Sequence, residues 1–218
     1  MSEDLPMSDD FGISADSPWP KGNHTLDARG ADWRSAAYFY SGAAPGEYVR
    51  IHGFRQAAEL LFTQMLASSV DRNLLVYPFV YNWRHTVELQ IKELIGLLAR
   101  TGQLTIDEGL LRTHNLAKLW SKVQPVAEEL IGTGVVRKVE VVATTRIIGQ
   151  LTKIDPDGQE LRYHLRTDGT PSLANQNHID PPKFQEAMQG CSAFLDGFIE
   201  HAFQELEFKR EMAEEFGP

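Results

Sequence analysis

The chain has 218 residues, 42% of them hydrophobic, and a formal net charge of −9. This length supports a sizeable core in one domain with appendages or in two small domains. The acidic balance argues against a broad basic face gripping a nucleic-acid backbone without specificity, though a small basic cleft stays open. Cys191 is the only cysteine, which rules out an intrachain disulfide and a cysteine-based zinc site.

Residues 1–30 carry Asp, Ser, Gly and Pro without periodicity. They read as a flexible acidic segment, followed by a single helical domain over 31–218. The first residues hold no apolar run of the signal-peptide kind. No later stretch reaches the ~18 apolar residues of a membrane span. A cytoplasmic protein with no membrane partner is expected. Residues 31–46, ADWRSAAYFYSGAAPG, are aromatic but short and suggest an irregular cover over the core.

A helix follows over about 47–69, its apolar positions Ile51, Phe54, Ala58, Leu61, Met65 and Leu66 at helical spacing. Ser68-Ser69-Val70-Asp71 breaks it. The central helix runs over about 72–100 and stops at Thr101-Gly102. Pro78 marks an early kink or a first turn. Residues 114–131 form a third helical unit that Pro125 should kink or restart. Residues 135–153 form a fourth, with Val139, Val142, Ile147, Ile148 and Leu151 apolar. The β-branched run VVATTRII makes a strand its competitor. At 161–166 the period becomes two: Leu161, Tyr163 and Leu165 alternate with Arg162, His164 and Arg166, and Asp168-Gly169 supplies a turn. A small β-like arm with a basic face is expected near 160–173. The last helix starts after Asp180-Pro181-Pro182 and runs to about 215. Its stripe of Phe184, Met188, Cys191, Leu195, Phe198, Ala202 and Leu206 is widened by Phe194, Phe203 and Phe208. Cys191 reads there as a core thiol. The fold class is therefore all-α, a bundle of about five helices. The breadth of this stripe suggests a homodimer; the alternative is that the other four helices bury all of it.

The central helix holds the most unusual pattern. At about 100° per residue, Val80, Trp83, Val87, Ile91, Leu94 and Leu98 share a core face, with Asn82, Thr86, Gln90 and Glu93 opposite as a wet face. Tyr77, Tyr81, Arg84, His85, Glu88 and Lys92 occupy a third arc about 100° wide. Arg84–Glu88–Lys92 alternate in charge at i, i+4 and i+8. Such a chain reads either as surface ion pairs or as a semi-buried polar groove against a neighbouring helix.

Three polar groups could carry chemistry: Arg84 and His85 with Glu88 and Lys92; His114 and Asn115 with Lys118; and Arg162, Tyr163, His164 and Arg166. A histidine beside a cation suits acid–base work on a phosphodiester, the imidazole moving the proton and the cation offsetting charge in the transition state. His114 stands where a helix should begin, and Asn115 suits its cap. His85 and Glu88 are spaced as in half of a carboxylate-bundle metal site, but the pattern does not repeat. GxSxG, HExxH and P-loop motifs are absent. No metal and no cofactor are expected.

The run YNWRHTVELQIKELI, then HNLAKLW, then LRYHLRTDG resembles bacterial helical proteins related to the HEPN superfamily over roughly residues 50–210. That resemblance implies a small helical bundle that dimerises. It also implies either a metal-independent ribonuclease of toxin, phage-defence or RNA-processing systems or an inactive relative that binds nucleotides or partners. One feature departs from the pattern. Active members carry Arg, four to six residues, then His near the last helix, and no arginine here precedes a histidine at that spacing; Asp196 stands in that place before His201. The expected catalytic set is then His85, His114 and Arg84. Lys92, Glu88, Asn115, Arg162 and His164 would bind RNA or a nucleotide. The rival expectation is a non-catalytic interaction module in which the same residues form a buried structural network.

Overall fold

The computed structural model describes Pro20, residues 24–26, Gly30 and residues 32–40, 46–174, 176 and 178–217. The chain divides into two compact units, Met1–Phe39 and Tyr40–Pro218. Most of the expected acidic lead-in lies outside the described residues. In the first unit, Asp32 caps a single 3-10 turn, Trp33–Ser35, and pairs with Arg34 at 2.9 Å. Trp33, Tyr38 and Phe39 are exposed, so the aromatic run buries none of these rings.

The described residues of the second unit form five α-helices and no strand. They are α1 (Gly46–Ala67), α2 (Ser69–Arg100), α3 (Leu116–Thr133), α4 (Lys138–Ile154) and α5 (Pro181–Phe216). The all-α fold follows from local signals. Ser68 accepts a hydrogen bond from the Asp71 backbone and starts α2 one residue after α1 ends. Thr101 and Gly102, the latter at φ +78°, stop α2. Asn115 caps α3 and Gly134, at φ +79°, ends it. Asp180 caps α5, with Pro181 and Pro182 in its first turn.

Both internal prolines lie inside unbroken helices. Pro78 sits in the third turn of α2 rather than its first. Each proline withholds one N–H from the carbonyl four residues back. Those residues, Leu74 and Ser121, are exposed, so neither carbonyl belongs to a core residue.

Over 138–154 the helix prevails against the strand because Val141, Thr144, Ile148 and Leu151 are buried at helical spacing. Val139 and Val142, expected on the apolar face, are exposed. The arm contributes one antiparallel bridge, Leu165 to Pro171, closed by the Arg166 N–H bonding to the Thr170 carbonyl at 2.8 Å.

Helix α2 packs on α1, α3 and α5, and α4 packs on α3 and α5, so α2–α3–α4–α5 closes as a ring with α1 laid over α2 and α5. All six expected core residues of α2 are buried, Trp83 completely. Each such side chain contributes about 1.5–3 kcal/mol of hydrophobic stabilisation. The expected wet face is corrected: Thr86 and Gln90 are fully buried. Gln90 faces α5, donating to the Ser192 carbonyl (3.0 Å) and to Asp196 (2.6 Å) while accepting from the Ser192 hydroxyl (3.1 Å). Asp196 in turn takes a two-pronged ion pair from Arg55 of α1 at 2.7 and 2.9 Å.

Within the single chain, Met188, Cys191, Leu195, Phe198 and Ala202 of α5 are already buried, and burial pushes the Cys191 thiol up to about 12. Phe203, Phe208, Met212 and Phe216 remain exposed along the end of that helix.

Candidate functional site

The i, i+4, i+8 spacing stacks Arg84, Glu88 and Lys92 on one line of α2. Neighbouring elements convert that line into a buried network. Arg84 is 1% exposed. Its Nη1 donates to Glu88 Oε2 (2.8 Å), its Nη2 to the His114 carbonyl (2.6 Å) and its Nε to the Asp155 carbonyl (3.2 Å). The Asp155 carboxylate lies 3.1 Å from the same Nε, as an ion pair outside hydrogen-bond geometry. The other oxygen of Glu88 accepts from Lys92 Nζ and pairs with His114 Nδ1, each at 2.8 Å.

The loop before α3 is therefore tied to α2 twice, through the backbone and the ring of His114. The buried Leu110 in the 3-10 turn Leu110–Arg112 anchors the same loop. Asn115 serves as the α3 cap, accepting from the Lys118 backbone at 2.8 Å.

Sequence reasoning missed two acids. Asp155 ends α4 and is fully buried beneath Arg84, and Glu160 is 5% exposed. Asp155 accepts from the Glu160 backbone at 3.1 Å, and Glu160 binds Arg166 and the Leu173 backbone. The run Asp155-Pro156-Asp157-Gly158 at a helix end was the available signal. A guanidinium on a half-buried line needs more acceptors than one glutamate provides.

His85 stands outside this hydrogen-bond network. Its ring meets Phe54 edge-on at 4.4 Å and stacks parallel to Tyr81 at 5.8 Å. Arg162 lies 5.9 Å from the Tyr81 ring, which connects the arm to the same side of α2. His164 is exposed on the arm and does not join Glu88. Among the described residues no three His, Cys, Asp or Glu side chains cluster as metal ligands.

The electrostatics follow from burial and partners. Burial works to raise the Glu88 pKa, but hydrogen bonds from Lys92, Arg84 and His114 outweigh it and hold the carboxyl below its ordinary value. Burial raises Asp155, with Arg84 opposing. Burial lowers His85, against the attraction of Glu88 and with help from Arg84, Lys92 and His114.

An ionised carboxylate only accepts, so His114 donates Nδ1–H to Glu88, and in the neutral ring the lone pair then falls on Nε2. The His114 side chain is 58% exposed. A buried acid thus sets the tautomer of a surface imidazole, an arrangement suited to proton transfer.

The fold and site define an all-α bundle with a buried ion network that carries one exposed, carboxylate-held histidine. No protein-family model, curated protein or solved structure matches the chain. No helix among the described residues is long and apolar enough to cross a membrane.

Proposed function

We propose that the protein is a cytoplasmic HEPN-like domain that binds RNA or nucleotides on the face around His114, with His114 as its acid–base group. The observation that carries this reading is the 2.8 Å contact between Glu88 and His114. The chemistry needs no metal. Nε2 accepts the proton of a ribose 2′-hydroxyl as that oxygen attacks the adjacent phosphorus. The P–O5′ bond breaks as a 2′,3′-cyclic phosphate forms, the departing 5′-oxygen takes a proton from water, and Nε2–H returns its proton to the hydroxide left behind. Arg84 has each of its three nitrogens engaged within the chain, so the charge of the reacting phosphate falls to Lys92, and Arg162 is left to a neighbouring nucleotide. Lys92 is partly exposed, and an ammonium has two protons left after bonding Glu88.

The test is cleavage of a mixed RNA pool by wild type, His114→Ala, His85→Ala and Arg84→Ala, with and without chelator. The expected result is chelator-insensitive cleavage that His114→Ala abolishes. An uncut pool with wild type removes the nuclease reading, and loss of cleavage with chelator replaces it with a metal mechanism.

A second reading rests on the three internal hydrogen bonds of Arg84. A guanidinium tied by each nitrogen to a different point of the same chain fixes helix register, as in a non-catalytic interaction module. Either reading accommodates a homodimer, for which the exposed Phe203, Phe208, Met212 and Phe216 supply an apolar surface.

A further inference from the structure

We infer that the pocket between the arm and α2 takes an unpaired nucleobase, so that the ligand is single-stranded RNA rather than a duplex or a mononucleotide. This rests on the reading of His114 above and specifies its substrate class. The pocket measures about 350 Å³ and is lined by Tyr77, Arg162, Tyr163, His164 and Ser172 among others. That is the small end of ligand-binding cavities and the size of a base with its sugar. Tyr77 and Tyr163 are 49% and 56% exposed, which leaves two phenol rings open to a planar ligand.

Of the lining residues, Arg162 joins the pocket to a line of rings that continues behind it on α2. The Arg162 guanidinium stands 5.4 Å from the Tyr163 ring and 5.9 Å from Tyr81, and Tyr81 stacks on His85 with planes only 9° apart. Aromatic faces interleaved with a guanidinium plane are what single-stranded RNA readers present to splayed bases. Arg162 is aimed by its Nε, which donates to the Gly158 carbonyl at 2.6 Å. Its terminal nitrogens meet no acceptor among the described residues, so they can serve phosphate or a base edge.

The pocket is also held in shape. Glu160, its one acid, has both oxygens engaged by Arg166 (2.5 and 3.0 Å) and accepts from the Leu173 N–H (2.7 Å). Its charge is therefore answered inside the arm. Leu173 sits at φ +54°, a conformation costly to a residue other than glycine, and its bond to Glu160 helps fix it there.

Position supplies the strand requirement. Tyr77 and Glu88 are separated by about 16 Å along α2 at 1.5 Å per residue. A base against Tyr77 and a phosphate at His114 are farther apart than one nucleotide reaches. A duplex cannot place a base in so narrow a pocket without unpairing it.

Fluorescence anisotropy tests this with a labelled twelve-nucleotide adenosine–cytidine repeat as single strand, as a duplex with its complement, and as an abasic strand. Wild type should bind the single strand best. Tyr163→Ala should weaken that binding by about tenfold or more, and Tyr163→Phe should restore it. Equal binding of all three probes, or unchanged single-strand affinity in both Tyr163→Ala and Tyr77→Ala, overturns the base pocket and leaves RNA binding standing. Failure of wild type to bind any probe overturns both.

Discussion

Nδ1 of His114 lies 2.8 Å from Oε1 of Glu88, which joins a side chain 58% exposed to one only 2% exposed. The same carboxylate neutralises Arg84 from its other oxygen. Glu88 therefore has a structural and a chemical task that substitution separates. Glu88→Ala leaves a buried guanidinium short of one acceptor and should cost about 3–5 kcal/mol, read from urea denaturation at neutral pH. Glu88→Gln keeps the shape and an acceptor and should cost less. It also removes the charge that fixes the His114 tautomer, so any RNA cleavage should fall more than stability does. A stability loss under 1 kcal/mol in Glu88→Ala would show that Asp155 alone balances Arg84.

His85 gives the pH dependence a defined sign. Its folded pKa lies below the ordinary 6.5, chiefly through burial. Between those two values the unfolded chain binds more protons, so stability rises with pH there and is lost as pH falls below about 6.5. Glu88 adds to this further into acid: its stabilisation is present above the ordinary 4.5 and disappears as pH falls through its lower folded value. Asp155 runs the other way, since a raised carboxyl pKa means that acid relieves a cost. His85→Phe keeps a ring against Phe54 and Tyr81 and deletes the titration. Urea midpoints at pH 7.5, 6.5 and 5.5 should fall for wild type and stay flatter for the variant. Parallel curves would assign the dependence to other groups.

Gly158 combines two constraints. Its φ of +83° suits glycine, and a Cβ there would stand 3.3 Å from Arg84 Nη1. Gly158→Ala should therefore destabilise by roughly 1–2 kcal/mol, from backbone strain and from displacement of the guanidinium together. Thermal melts measure it. In an Arg84→Ala background the steric part should vanish and the increment should shrink; an unchanged increment would mean that only the backbone term operates.

The helices and their ends were legible because capping residues and apolar periodicity are local signals. Asn115 and Asp180 each announce a start and Gly102 a stop, whereas Ser68-Ser69-Val70-Asp71, read as a break, is where Ser68 caps α2 three residues earlier than expected. The line Tyr77-Tyr81-Arg84-Glu88-Lys92 was equally legible as an oddity on one helix, and its burial was one of two open readings. What covers it was not legible. Asp155, just past the end of α4, reaches Arg84 across 71 residues of chain, and the run Asp155-Pro156-Asp157-Gly158 signals a turn there without saying which element covers the acid. The expected wet face failed for the same reason. Helical spacing locates an opposite face but cannot count neighbours, and α2 has partners on three sides.

Gln90 and Glu93 test that distinction directly, since both were read as solvent-facing. Gln90 is fully buried, and its amide answers the carbonyl and hydroxyl of Ser192 and one oxygen of Asp196. Removing it leaves a void and strands Ser192, itself 1% exposed. Gln90→Ala should therefore cost about 2–4 kcal/mol, combining a cavity with unsatisfied polar groups. Glu93 is 31% exposed, its pairing to Arg100 is long at 3.9 Å, and burial raises its pKa. Glu93→Ala removes a partly desolvated charge that gains little in return, and should stay within about 0.5 kcal/mol of wild type. Chemical denaturation of the two variants side by side decides the matter. Equal, small effects would return Gln90 to the surface and with it the α2–α5 interface described above.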